Sequence, residues 1–310
     1  MDAALTLGVD GGASGARAHV VERLSDGSLR ALTPGESLDW NGERATALAD
    51  MLAKLCTDHP RCEVRVGLCF PGAKTHDGRG IASARHGPAL PHLLDDLERE
   101  LERRGVRLAT PLPPLCSDGD AAAWGEHWAT GGALAGLRNG YVVGAGTGLA
   151  EGLVLAGRPQ RMQLLRDRLP PPWELKSRSG ENLDDCLSAS GMQRAGGTAW
   201  ARDLGEFLAE RLLILGSRGA GPIQRVVVGQ RSGELLADRS RGPEVWRALE
   251  CSLQVALSRA CDDDLREAYL PDGVLPADLV VASTLRAAPA IGAAGMALGL
   301  APVLAEDESR

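Results

Sequence analysis

Residues 8–15 read Gly-Val-Asp-Gly-Gly-Ala-Ser-Gly, and residues 144–152 read Gly-Ala-Gly-Thr-Gly-Leu-Ala-Glu-Gly. Each run follows an apolar stretch (Leu5–Val9, Tyr141–Gly144) and leads into another (Ala18–Val21, Leu153–Leu155). That order predicts a glycine-rich turn inside a β-hairpin, once in each half of the chain. Without a Cβ, successive backbone N–H groups can turn inward and form a concavity that accepts an anion. Two such hairpins point to a duplicated fold gripping one polyphosphate from both sides. Other phosphate loops fit poorly. A dinucleotide fingerprint needs a helix directly after its glycines, whereas both runs enter strands. The segment Gly67–Thr75 approaches a Walker A loop, but Ala73 is inserted before Lys74 and Thr75, and Pro71 stiffens the turn.

Around these hairpins the pattern alternates. Further strands are expected at Val64–Phe70, Arg225–Val228 and Leu279–Val281. Helical spacing recurs at Leu48/Met51/Leu52/Leu55, Leu93/Leu94/Leu97/Leu101, Leu204/Phe207/Leu208/Leu212 and Val245/Leu249/Leu253/Ala256. The result is an α/β chain with a largely buried sheet. The uncharged run Ala287–Ala305 is mostly Ala and Gly and carries Pro289 and Pro302, so it reads as a buried helix with small-residue packing rather than a bilayer span. The proline cluster Pro111/Pro113/Pro114 suggests a domain junction.

The chain has 310 residues, of which 44% are hydrophobic and 24% charged, the profile of a globular protein. Net charge is −7 and no basic patch gathers, which argues against a nucleic-acid partner. The seven cysteines are odd in number and lack CxxC spacing, and no basic, apolar leader opens the sequence; both features point to the cytoplasm. Cys56, His59 and Cys62 lie close together in sequence but lack a fourth partner for zinc.

With both hairpins in view, the chain resembles the superfamily of sugar kinases, actin and heat-shock chaperone ATPases, and within it the ROK family. Asp10, Gly11, Gly12, Ala13 and Ser14 stand at the first phosphate loop, and Gly146, Thr147 and Gly148 at the second. Val66–Gly72 matches a strand ending in Pro-Gly, and Ser117–Glu126 matches the Asn-Asp-Ala-Asn-Ala-Ala-x-Gly-Glu segment. Val226–Gly229 resembles the adenosine-loop strand, and Ile291–Ala294 the C-terminal Gly-Ala-Ala helix.

The resemblance implies an actin-like ATPase (ribonuclease H-like) fold of two lobes around a central cleft. Residues 1–117 would form the N-terminal lobe and 118–290 the C-terminal lobe, with 291–310 a helix packing back on the first. It implies an ATP-dependent kinase for a sugar-like hydroxyl, with Asp118 as general base and Asp10 holding Mg²⁺ through water. Gly11, Gly12, Ser14, Gly146, Thr147, Gly148 and Gly229 would contact ATP. Gly72, His86 (or Arg85), Ser117 and Asp184 (or Asp185) would line the acceptor pocket. A homodimer is the assembly it suggests, with no membrane partner. Local sequence offers each aspartate a plainer role: Asp118 as a helix N-cap, Asp10 as a turn residue.

Departures from the pattern matter as much. The family's zinc segment is missing, since residues 161–187 hold no His and only Cys186, so no structural zinc is expected. Gly15 stands where a Lys is common, Ser117 replaces an Asn, and Gly229-Gln230-Arg231 replaces a glycine run. These changes leave open a non-catalytic nucleotide or sugar sensor. Asp10-Gly11-Gly12 also suggests the N-acetylhexosamine kinase or BadF-type ATPase group.

Overall fold

The computed structural model describes residues 4–32, 35–57, 59, 63–217, 221–237 and 242–300. Two compact units emerge, Met1–Ala135 with Ala287–Arg310, and Gly136–Arg286. The first contains β1 (Leu5–Gly11), β2 (Gly15–Arg23), β3 (Leu29–Ala31), β4 (Glu36–Asp39), α1 (Arg44–Leu55), β5 (Val64–Cys69), β6 (Ala73–Lys74), β7 (Ile81–Ser83), α2 (Leu93–Arg103) and α3 (Asp118–Trp128). The second contains β8 (Gly140–Ala145), β9 (Leu149–Leu155), β10 (Arg158–Gln160), α4 (Leu183–Leu187), α5 (Ala189–Ala195), α6 (Gly197–Gly216), β11 (Arg225–Gly229), α7 (Gln230–Ala237), α8 (Pro243–Ser258), α9 (Asp263–Tyr269) and β12 (Val280–Ala282). Helix α10 (Ala288–Ala297) then rejoins the first unit.

The duplication is visible in the sheets. One runs β3-β2-β1-β5, with β4 also on β2; the other runs β10-β9-β8-β11-β12. In both, an antiparallel hairpin (β1/β2, β8/β9) is followed by a parallel neighbour of its first strand (β5, β11). The parallel bridge Cys69↔Cys116 extends the first sheet where β12 extends the second. Both expected hairpins are present. The first strands are buried because helices cover them, so β8 and β11 read as continuous apolar runs.

The cores are aliphatic, as three per cent aromatic content requires. In the first unit Leu48 and Leu52 of α1 and Leu94, Leu97 and Leu101 of α2 meet Leu7, Val9 and Val66. In the second, Leu204, Leu208 and Leu212 of α6 and Leu249 and Leu253 of α8 cover Val226 and Val228. Helix α10 is buried along nearly its whole length, and small residues are the reason it fits. A Cβ on Gly8 or Gly67 would lie 1.8 Å from a carbonyl oxygen of α10, so the sheet touches helix backbone directly. The same closeness joins α3 to α10: a Cβ on Gly125 would meet Ala288 O at 1.9 Å, and one on Gly292 would meet Ala121 O at 1.9 Å.

That contact moves the expected domain boundaries. Ser117 is the N-cap of α3, and α3 packs on α10, so the division falls after Ala135 instead of at 117/118. The return to the first unit occurs at Ala287, not between 290 and 291, because residues 288–297 form one helix. Among the described residues, no helix is long and apolar enough to cross a membrane. Cys62 and Pro302 lie outside the described residues.

Replacing Gly292 by Ala tests the α3–α10 contact. Helix propensity alone favours Ala by about 1 kcal/mol. Forced separation of the two backbones outweighs it, with overpacking costs of about 1–3 kcal/mol. The expected result is a lower urea midpoint with an unchanged m-value; a higher midpoint contradicts the packing.

Candidate functional site

Strand register builds the first unit's site. Asp10 of β1 lies opposite Cys69 of β5, and Cys69 lies opposite Cys116, so three carboxyl strand ends stand side by side. This is where open α/β sheets place ligands. Two residues beyond Cys116, Asp118 opens α3. The Ser117 hydroxyl accepts from Asp120 N at 3.0 Å, so Ser117 performs the capping that local sequence offered to Asp118. Burial, and then repulsion from the nearby Asp118, raises the Asp10 pKa to about 6. Cys69 donates to Val9 O at 3.4 Å; burial and the neighbouring Asp10 push its thiol well up, leaving it an inert core group.

A lysine joins this cluster. Lys74 donates to Phe70 O (2.8 Å) and Gly72 O (2.7 Å), which closes the Pro-Gly turn after β5. Burial lowers its pKa, and attraction to Asp118 opposes that effect. Its place in a short strand pair, with no helix following, disposes of the Walker A resemblance. Sequence reasoning set Lys74 aside for that near-miss; its signal was position, four residues past the buried Phe70 that follows β5.

The first glycine turn spans residues 12–14, with Gly12 N–H donating to Gly15 O at 2.8 Å. Trp40 braces it through Nε1–H to Gly12 O (2.9 Å) and N–H to Ser14 O (3.2 Å). The Trp40 ring stacks on Phe70, and the Phe70 ring fills the space beside Gly11. Ser14 is exposed at the tip. Gly72 takes φ +98°, which a side chain would strain. His86 is exposed beyond β7, and Glu126 is structural, its buried carboxylate accepting from Ala133 N at 2.8 Å.

In the second unit the turn spans Gly146–Gly148, with Gly146 N–H donating to Gly148 O at 2.9 Å. Asp184 is buried and its Oδ1 accepts from Leu149 N at 2.6 Å, so it holds the base of this turn. Ala189 N–H donates to Gly146 O, clamping the start of α5 on the other side. Thr147 is exposed at the tip. Below it lies a buried ionic group: Arg211 donates to Glu151 at 2.8 and 3.2 Å and to Pro170 O at 2.6 Å, and Tyr141 donates to Glu151. Burial raises the Glu151 pKa against the pull of Arg211. Gly229 ends β11, and Gln230 follows at φ +55° with its side chain over Gly144 and Gly146. Ser232 bonds Ala145 N and Gly229 O, tying strand to turn.

No family model matches the sequence, and no curated protein matches it. Solved structures do. An inorganic polyphosphate/ATP-glucomannokinase from Arthrobacter sp. strain KM aligns over 96% of this chain and 99% of its own, with a TM-score of 0.65 and 20% identity. The chain has the ROK sugar-kinase fold. A ROK family glucokinase from Streptomyces griseus, solved with glucose and AMPPNP, aligns over 95% and 99% at TM-score 0.66 and 20% identity. A ROK hexokinase from Thermus thermophilus aligns over 94% and 96% at TM-score 0.61 and 21% identity. The alignments run end to end, so both units belong to the shared ROK fold.

The raised pKa of Asp10 gives a signed expectation for the ligand-free protein. Its folded value of about 6 exceeds the ordinary 3.8, so the folded state holds the proton more tightly. Its contribution is present below pH 3.8 and is lost as pH rises to about 6. Asp10→Asn is therefore expected to raise Tm over wild type by an amount that grows from pH 4 to 6 and then levels. A difference that shrinks over this range contradicts the assignment.

Proposed function

We propose that the chain is an ATP-dependent kinase that phosphorylates a hydroxyl of a sugar or sugar-like polyol. The observation that carries the reading is the pair of carboxylates at the strand ends, Asp10 and Asp118, with the cap of α3 supplied by Ser117. Phosphoryl transfer needs charge neutralisation, positioning and an acceptor for the hydroxyl proton. Asp118 takes that proton as general base. Lys74 lies in its field.

The Ala13 and Ser14 amides of the first turn and the Thr147 and Gly148 amides of the second bind phosphate oxygens, and the Ser14 and Thr147 hydroxyls at the two tips add donors. Gly229 and the start of α7 border the nucleoside. The half-buried Asp10, whose burial and like-charge neighbour disfavour ionisation, suits a hard divalent cation that removes this penalty. Mg²⁺ held there through water would neutralise charge on the transferring phosphoryl group. The Gly72 turn, His86 and Ser117 shape the acceptor pocket. Asp184 contributes to acceptor binding by holding the base of the second turn.

The glucokinase with glucose and AMPPNP and the hexokinase supply the chemical class. The net charge of −7 accords with a small-molecule substrate and no nucleic acid, and the odd number of cysteines without CxxC spacing accords with the cytoplasm. We carry a homodimer as the assembly that the resemblance suggests.

Turnover of ATP with a panel of hexoses, amino sugars and cyclitols tests the reading. Against the best acceptor, Asp118→Asn is expected to lower kcat by about 10²–10⁴-fold, the usual worth of a positioned base. Mg-ATP binding should persist. Full turnover in that variant removes the base assignment.

A further inference from the structure

We propose that the Arg44 guanidinium, stacked on Trp40 beside the first glycine turn, is a binding site for an oxyanion, a phosphate or carboxylate carried by one of the two substrates. Placement comes first. Strand β4 pairs with β2 through Gly15↔Asp39, which delivers Trp40 and the start of α1 onto the turn. The strand lies so close that a Cβ on Gly15 would meet Leu38 O at 2.2 Å, so position 15 can carry no side chain of its own. Arg44, the first residue of α1, sets its Cζ 4.8 Å from the centre of the Trp40 ring and donates from Nη2 to Ala13 O at 3.3 Å. A guanidinium held over an aromatic face and bonded to a backbone carbonyl is pre-oriented and loses little entropy on binding a planar or tetrahedral anion.

Its donors are mostly unspent. Of five N–H groups, one is used by Ala13 O; among the described residues Arg44 makes no ion pair. The helix makes this costly. A cation at the positive end of α1 is disfavoured, the first turn of α1 holds no acidic residue, and the Glu43 side chain makes no cap. Burial also lowers the Arg44 pKa. An anion at the fork relieves each of these costs.

The fork also reaches a second segment. Both Nη atoms lie 3.7 Å from where a Cβ on Gly87 would stand, so the guanidinium borders the 85–87 segment as well as the turn. A phosphoryl group arriving at the turn and an acid group on the acceptor near His86 are both within its surroundings. The second source makes the acceptor an acidic sugar. The inference rests on the kinase reading only for what brings the anion.

The test is ligand-dependent Tm of the full chain, for wild type, Arg44→Met and Arg44→Gln. The Gln variant keeps a donor for Ala13 O and guards against a simple loss of fold. Probes are inorganic phosphate, Mg-ATP, glucuronate and glucose. Wild type is expected to bind at least one anion, and both variants to bind it at least tenfold more weakly, with glucose unaffected. Loss confined to glucuronate assigns the acceptor's acid group; loss for phosphate and Mg-ATP assigns the phosphoryl group. Equal anion binding in wild type and variants overturns the site, as does wild type binding none of the three anions. Asp118→Asn, run in parallel, should bind the anion at least as tightly as wild type while turnover fails. The kinase reading and the anion site therefore fail on different variants.

Discussion

Three strand ends in register, Asp10 beside Cys69 beside Cys116, are the constraint on which the rest depends. Parallel pairing sets their carboxyl ends at one level, and the next residues must turn away. One turn becomes the glycine hairpin, one the Pro-Gly turn with Lys74, one the start of α3 with Asp118. Two carboxylates are thereby brought together in a half-buried place, which costs stability that only a cation or a proton can return. Such strain is characteristic of sites that act on ligands.

The close backbone contacts of α10 protect that register. An all-small helix lets β1, β5 and α3 approach its backbone, so the strand ends cannot splay without opening the whole layer. In the second unit the same sheet pattern carries a different brace. There the buried Arg211–Glu151–Tyr141 group and the Asp184 carboxylate hold the second turn from below and beside. Arg211 also donates to Pro170 O, within the stretch where the zinc segment is missing, so the arginine that pairs with Glu151 fastens that loop by a hydrogen bond.

Much of this was legible in the residues. Both hairpins announced themselves because glycine runs between apolar strands have few other uses, and α10 because Ala and Gly without charge suit a buried contact. The four amphipathic helices followed from spacing alone. What escaped were groups whose meaning lies in distant partners. β3, β4 and β10 are edge strands of three or four residues, too short to show a period. Trp40 and Arg44 act on Gly12 and Ala13 across about thirty positions, a separation no local pattern encodes. Ser117, not Asp118, caps α3, because only backbone angles decide which residue caps. Asp184 was read beside the acceptor, yet its carboxylate also serves the second turn.

The central claim is that the two glycine turns present their amides to phosphate oxygens. Backbone ¹⁵N–¹H shifts recorded while AMPPNP with Mg²⁺ is titrated in report on it directly. The account predicts saturating shifts at Ala13 and Ser14 of the first turn and at Thr147 and Gly148 of the second. Saturable nucleotide binding that leaves both sets of amides unmoved would contradict it.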